Sequence, residues 1–140
     1  MLIKQLSIEL ENRLGNLSRI TGVLSRHGIS MSAFSIFTTA EGGVLRIIVP
    51  HPMLAVDILG NHNYKVVVDD VVCLKLKDVS GSLNTALKVL SDNGVSLDYA
   101  YAFTAPDNKA VAVLHCDDVN TAVNVLRTYR MELMTAEDVV

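Results

Sequence analysis

Two short segments of this 140-residue chain carry the residue types best suited to holding a small charged molecule: Glu11-Asn12-Arg13-Leu14-Gly15-Asn16-Leu17 and Lys77-Asp78-Val79-Ser80-Gly81-Ser82-Leu83. Each sets a short polar side chain, Asn12 or Asp78, three residues before a glycine, and an apolar helical pattern opens directly afterwards. A joint of this kind presents backbone N–H groups without partners and the positive end of a helix dipole, which together favour a carboxylate. An oxygen of Asn12 or Asp78 can accept a hydrogen bond from an ammonium group, so each joint matches the two ends of an amino-acid backbone. The same residues also admit a local reading. In it Asn12 and Asp78 cap a turn or a helix N-terminus, and Gly15 and Gly81 only allow tight packing.

Catalysis has less to work with. His27 ends a helix, His51 and His62 bracket another, His115 sits at a strand end, and none has metal-ligand spacing. Cys73 and Cys116 form no Cys-x-x-Cys pair and read as reduced, structural thiols. No Gly-rich phosphate loop, Gly-x-Ser-x-Gly elbow or His-Glu-x-x-His run occurs. The expectation is a protein that is not an enzyme and that uses neither cofactor nor metal.

The elements that position the two joints repeat. Leu10 and Leu76, Gly15 and Gly81, Leu17 and Leu83, Leu24 and Leu90, Gly28 and Gly94, and Phe37 and Phe103 are each 66 positions apart. After the third strand the offset becomes 67, aligning Ala55-Val56-Asp57-Ile58-Leu59 with Ala122-Val123-Asn124-Val125-Leu126, so one loop residue has been inserted. Two copies are too few for a solenoid and imply a pair of modules.

Within each copy the apolar periods give one order of elements. A first strand alternates Leu6, Ile8 and Leu10, or Val72, Leu74 and Leu76, with polar residues. A helix follows with Leu17, Ile20 and Leu24, or Leu83, Ala86, Leu87 and Leu90, on one face, and it stops at Gly28 or Gly94. Second strands are expected over 29–38 and 95–104, and hairpin loops over 40–43 and 105–108. Third strands over 44–49 and 110–115, second helices over 53–60 and 119–129, and fourth strands over 64–68 and 131–135 complete the copies. The fold class is α+β: two ferredoxin-like βαββαβ modules, residues 1–69 and 70–140, each an antiparallel sheet with helices on one face. The junction Val68-Asp69-Asp70-Val71 leaves no room for a flexible linker, which implies one rigid body. In the first copy's second strand Met31, Ala33 and Phe37 make one face, yet Phe34 and Ile36 make the other apolar too. Either the other module or a second chain covers that face, or a bulge turns Phe34 and Ile36 inward.

Half the residues are apolar and no low-complexity tract occurs, as expected of a folded protein. No stretch approaches the roughly 20 apolar residues of a membrane span, and the N-terminal residues turn polar too early for a signal peptide. The expectation is a cytoplasmic protein without membrane association. Twelve basic and fifteen acidic side chains give a net charge of −3 without a basic stripe, which argues against a nucleic-acid partner. RNA modules of this plan stack bases on aromatics of their first and third strands, which have none here. Tyr99, Tyr101 and Phe103 alternate on a second strand and read as core packing.

The Gly-x-Leu openings Gly15-Asn16-Leu17 and Gly81-Ser82-Leu83, the later Leu24 and Leu90, and the helix exits Gly28-Ile29-Ser30-Met31 and Gly94-Val95-Ser96-Leu97 resemble the ACT domain family. These are small regulatory modules that sense amino acids in metabolic enzymes and often pair to bind ligand at a shared interface. The resemblance covers nearly the whole chain, as two copies. It implies that Asn12 and Asp78 contact a ligand together with the N–H groups around Gly15 and Gly81. The ligand-contacting positions then include Leu14, Asn16 and Leu17 at one joint and Ser80, Ser82 and Leu83 at the other, with Ser30 and Ser96 facing the ligand from a neighbouring second strand. Leu14 and Ser80 stand where many members have proline, so these joints are less rigid. Ser30 and Ser96 replace the asparagine of many members, and a hydroxyl reaches less far. The implied partners are a free amino acid or related metabolite, a second copy in a homodimer, and a metabolic enzyme under regulation. The competing reading is an interaction subunit of such an enzyme with no ligand of its own.

Overall fold

A computed structural model describes residues 2–11 and 13–140. Its contacts divide the chain into two units, one of Lys4–Asp69 and one of Asp70–Val140 with the residues up to Ile3.

In the first unit the alternating apolar residues of β1 (Ile3–Leu10) meet those of β3 (Gly42–Ile48), with Leu6 opposite Ile47 and Ile8 opposite Leu45. Helices α1 (Asn16–Arg26) and α2 (Pro52–Asn61) lay Ile20, Leu24 and Leu59 on that face, and all of these side chains are buried. Each such burial contributes about 1.5–3 kcal/mol, which is why the period-2 and period-3.6 patterns lock together. Strand β2 (Ala33–Thr39) forms one edge and pairs antiparallel with β3. The strand order β2-β3-β1, continued by the strand that begins at Val66, is the ferredoxin-like arrangement.

The second unit repeats the plan with β4 (Val66–Lys75), α3 (Val79–Asp92), β5 (Leu97–Ala105), β6 (Lys109–Cys116) and α4 (Val119–Thr128). Val72, Leu74, Leu114, Leu90 and Leu126 form its core, and Leu2 packs against it. A four-residue helix, α5 (Ala136–Val139), ends the chain behind a capping box between Thr135 and Asp138. Both first helices exit as their glycines foretell. Gly28 (φ 68°) and Gly94 (φ 74°) are left-handed, and the Ile29 and Val95 N–H groups reach back to the carbonyls of Leu24 and Leu90.

Four details differ from the sequence reading. The two edge strands begin at Ala33 and Leu97, later than expected. The inserted residue lies before the third strand and not after it: two residues separate β2 from β3, and three, Pro106–Asn108, separate β5 from β6. The expected junction is the middle of a strand, because Val66–Lys75 runs without interruption through Asp69 and Asp70. The expected fourth strand at 131–135 is reduced to a bridge between Leu74 and Leu133, flanked by hydrogen bonds from Lys75 N–H to Glu132 O and Met134 N–H to Cys73 O.

The faces of β2 are also reversed. Phe34 lies opposite Ile47 and Ile36 opposite Leu45, so both sit on the helix-covered side, at the rim that the helices leave bare. The β2–β3 register runs without a shift, so no bulge is involved. Tyr99, Tyr101 and Phe103 lie half-buried on the face away from the helices, opposite His115, Val113 and Val111.

A cavity in the second core should cost far more than a polar change on the surface. Leu114→Ala should lower unfolding free energy by about 2–5 kcal/mol. Leu14→Ser, at a fully exposed position, should stay within about 0.5 kcal/mol. Urea titration measures both.

Candidate functional site

The first joint is built around Gly15, which caps α1 with φ at 81°. A residue with a Cβ pays about 1–2 kcal/mol for that conformation, which explains glycine here although the space beside it is open. The turn is closed by the Asn16 N–H on Arg13 O (3.3 Å), and the helix ladder starts with Arg19 N–H on Gly15 O (2.9 Å). The N–H groups of Leu17 and Ser18, between these bonds, have no partner among the described residues. Among the described residues no side-chain hydrogen bond caps this end, and its first turn has no acidic residue.

Beside this helix end lies an open groove of about 620 Å³ between α1 and the bare rim of β2. Leu14, Leu17, Met31, Phe34, Ile36 and Leu45 line it together with Gly15, Ser18, Thr21 and Arg13. Leu14 is fully exposed, and Phe34 and Ile36 keep 56% and 44% of their surface in water, so the groove displays apolar area that the fold does not cover. Asn16 belongs to neighbouring recesses, and its Nδ2 donates to Glu11 O at 3.4 Å. Arg13 pairs with Glu11 at 3.4 Å in full exposure. Asn12 lies outside the described residues.

The second joint departs from the expected copy. Helix α3 starts at Val79, three residues ahead of the position equivalent to the start of α1, so Ser80, Gly81 and Ser82 are helical. The Ser82 N–H already bonds to Asp78 O at 2.6 Å and cannot serve a ligand. The Asp78 side chain makes no capping hydrogen bond. Its carboxylate leans over the first turn, with Oδ2 2.6 Å from where a Cβ on Gly81 would stand. The recess here, about 430 Å³, is charged: Lys75, Lys77, Asp78, Arg130 and Glu132 line it, and Lys75 pairs with Glu132 at 3.4 Å. Ser82 lines it too, Ser80 is exposed outside it, and Leu83 packs on the core.

Ser30 is exposed in the segment before β2. Ser96 is tied to the β6–α4 turn, its N–H on Asp117 Oδ1 and its carbonyl accepting from the Asp117 N–H, both at 3.0 Å. Each serine follows the far end of the helix whose start forms the joint. Eleven residues of α1 span about 16 Å, so Ser30 and Gly15 of one unit do not meet in one site. Met31, Phe34, Ile36 and Thr21 are the groove residues that the joint motif misses. The two-sided apolar pattern of Phe34 and Ile36 was their signal.

Other chemistry is sparse. Burial pushes Cys73 up to about 12, and burial with Asp117 and Asp98 nearby pushes Cys116 up to about 11, so both thiols stay protonated near neutral pH. His115 Nδ1 lies 2.9 Å from Asp98, the bulged residue of β5, and its ring stacks on Tyr99. No group of three metal-ligating side chains occurs among the described residues, and none of their helices is long and apolar enough to cross a membrane.

The family model described as an ACT domain pair matches residues 1–140. A protein of Bacteroides thetaiotaomicron with a known crystal structure is 37% identical, with a TM-score of 0.91 over 99% of this chain and 96% of its own. The ligand-free regulatory subunit of aspartate kinase from Thermus thermophilus superposes with a TM-score of 0.62 at 10% identity, covering 91% of this chain and 93% of that one. Clostridium acetobutylicum aspartate kinase gives 0.56 at 16% identity over 89% of this chain and 32% of the enzyme. At such identities the two kinases share the fold alone. No curated protein matches the sequence.

The difference between the joints should appear in glycine substitutions. Gly15→Ala should destabilise by about 1–2 kcal/mol through its left-handed backbone. Gly81→Ala should change stability by less than about 1 kcal/mol, since helix propensity favours alanine and the Asp78 side chain can swing aside. Thermal unfolding of both variants is the check.

Proposed function

Because this chain belongs to the ACT domain pair family, we propose that it is a non-catalytic regulatory protein that binds a free amino acid and thereby modulates a metabolic enzyme. The observation that supports this most directly is the groove at the β1–α1 joint, where the Leu17 and Ser18 N–H groups adjoin an uncovered apolar recess. A carboxylate at the N–H groups and a side chain in the recess use both halves of the site. The regulatory direction comes from the family and from the fold shared with aspartate kinase subunits. The two domains, residues 1–69 and 70–140, are taken as one sensing and one supporting module. A cytoplasmic setting agrees with two buried, unpaired thiols.

The second reading is an interaction subunit without a ligand. The exposed Phe34, Ile36 and Phe37 on edge strand β2 favour it, since an apolar edge invites a partner. Self-pairing of this edge is the route we propose to a homodimer. A ligand regulates only if it binds one arrangement of the protein better than another, so the two readings are compatible.

Calorimetry and thermal unfolding against the twenty amino acids separate them. A ligand at 100 times its Kd should stabilise the folded state by about 2.7 kcal/mol and raise Tm by several degrees. Silence across the panel at millimolar concentration, with a dimeric mass in sedimentation, would leave the interaction subunit as the surviving reading.

A further inference from the structure

We infer that the ligand carries a bulky apolar side chain and that one ligand binds per chain, in the Lys4–Asp69 unit. This rests on the amino-acid-binding reading above and narrows it to a class.

The walls of the first groove decide the class. Six of the ten lining residues, Leu14, Leu17, Met31, Phe34, Ile36 and Leu45, are apolar, and only Ser18, Thr21 and Arg13 bring polar side-chain groups, so a polar side chain laid against the apolar residues loses its water without compensation. An aliphatic or aromatic side chain instead covers Leu14, Phe34 and Ile36, which otherwise stand in water. Arg13 is the one charged residue among the groove's lining. It complements the carboxylate end of a ligand and disfavours lysine or arginine as the bound side chain. A groove of about 620 Å³ is ample for leucine, methionine or phenylalanine, and lies within the roughly 300–1,000 Å³ of ordinary small-molecule sites.

The second unit lacks both halves of this arrangement. Phe34 and Ile36 lie opposite Ile47 and Leu45, and the residues in the same places of the second sheet, opposite Leu114 and Ala112, are Ala100 and Ala102. The apolar wall is therefore gone. The early start of α3 puts Leu83 and Asn84, the counterparts of Leu17 and Ser18, past the first turn of the helix where N–H groups are spent in the ladder, and the Asp78 carboxylate leans over that first turn. Without the apolar wall a bulky apolar side chain has nothing to cover at the second joint, so the ligand that the first accepts has no matching site there. The groove has lost its apolar wall in the second copy, whereas a charged recess beside the joint is kept in both, with Glu9, Glu11, Arg19 and Lys65 in one unit and Lys75, Lys77, Arg130 and Glu132 in the other.

The test is isothermal calorimetry of the full chain with leucine, isoleucine, methionine, phenylalanine, serine, aspartate and lysine, repeated on Phe34→Ser, Ile36→Ser and Asp78→Ala. One of the four apolar amino acids should bind at least about 100-fold more tightly than serine, at one per chain. Phe34→Ser and Ile36→Ser should each weaken it by roughly tenfold or more, with the circular dichroism spectrum unchanged. Asp78→Ala should leave its affinity within about twofold. A preference for serine, aspartate or lysine, or two equivalents per chain, overturns the inference while the amino-acid reading stands. Binding by no amino acid overturns both. Should Phe34→Ser split a dimer and leave leucine affinity unchanged, the groove is a face for a second copy, and the inference fails.

Discussion

The packing of α1 and α2 on one face of β1 and β3 is the interaction on which everything else in the first unit depends. Once Ile8 faces Leu45 and Leu6 faces Ile47 beneath Ile20, Leu24 and Leu59, the register of every neighbouring strand follows. Helix α1 then opens directly above the rim of the sheet. Two helices cover the central strands and leave part of β2 bare, so Phe34 and Ile36 end up beside the start of α1. The groove is therefore a by-product of how far two helices reach across four strands. Side chains have only to furnish it.

Much of this was legible in the sequence because it rests on periods and punctuation. The duplication, the order of elements, the core faces of β1 and β4 and the glycine helix exits all follow from spacing that physics reads without ambiguity. The face of Phe34 was not legible. With apolar residues on both sides of the strand, the orientation is set by the two-residue turn and its register with β3, which composition does not report. The start of α3 was hidden for a similar reason. Gly15 is held left-handed and so stops the helix from extending backward, whereas Gly81 has no such restraint and is simply absorbed. Asp69 and Asp70 looked like a break between modules, but both stand half-buried within an uninterrupted strand that keeps part of their surface in water.

The candidate groove was half visible. The joint motif located Leu14, Gly15 and Leu17, which the structure places at one groove. It treated the second copy as equivalent, and equivalence in sequence spacing did not survive a shift of three residues in the helix start. Ser30 and Ser96, carried by the family pattern alone, stand at the far ends of their helices from the joints. A motif of mostly apolar spacing specifies a scaffold well and the furnishing of a site poorly.

The membership of Leu2 and Ile3 in the second unit bears on how the chain is assembled. Leu2 packs on a core otherwise built from Val72 to Leu133, so that core is closed by a segment synthesised long before it. The Lys4–Asp69 unit can mature on local contacts while this segment waits. The second unit adds to its own core, built from Val72 to Leu133, one contact from Leu2 far back in the chain, the kind of long-range closure that slows folding. During synthesis it is thus Leu2 that stands longest without its neighbours, until the core it packs against has emerged.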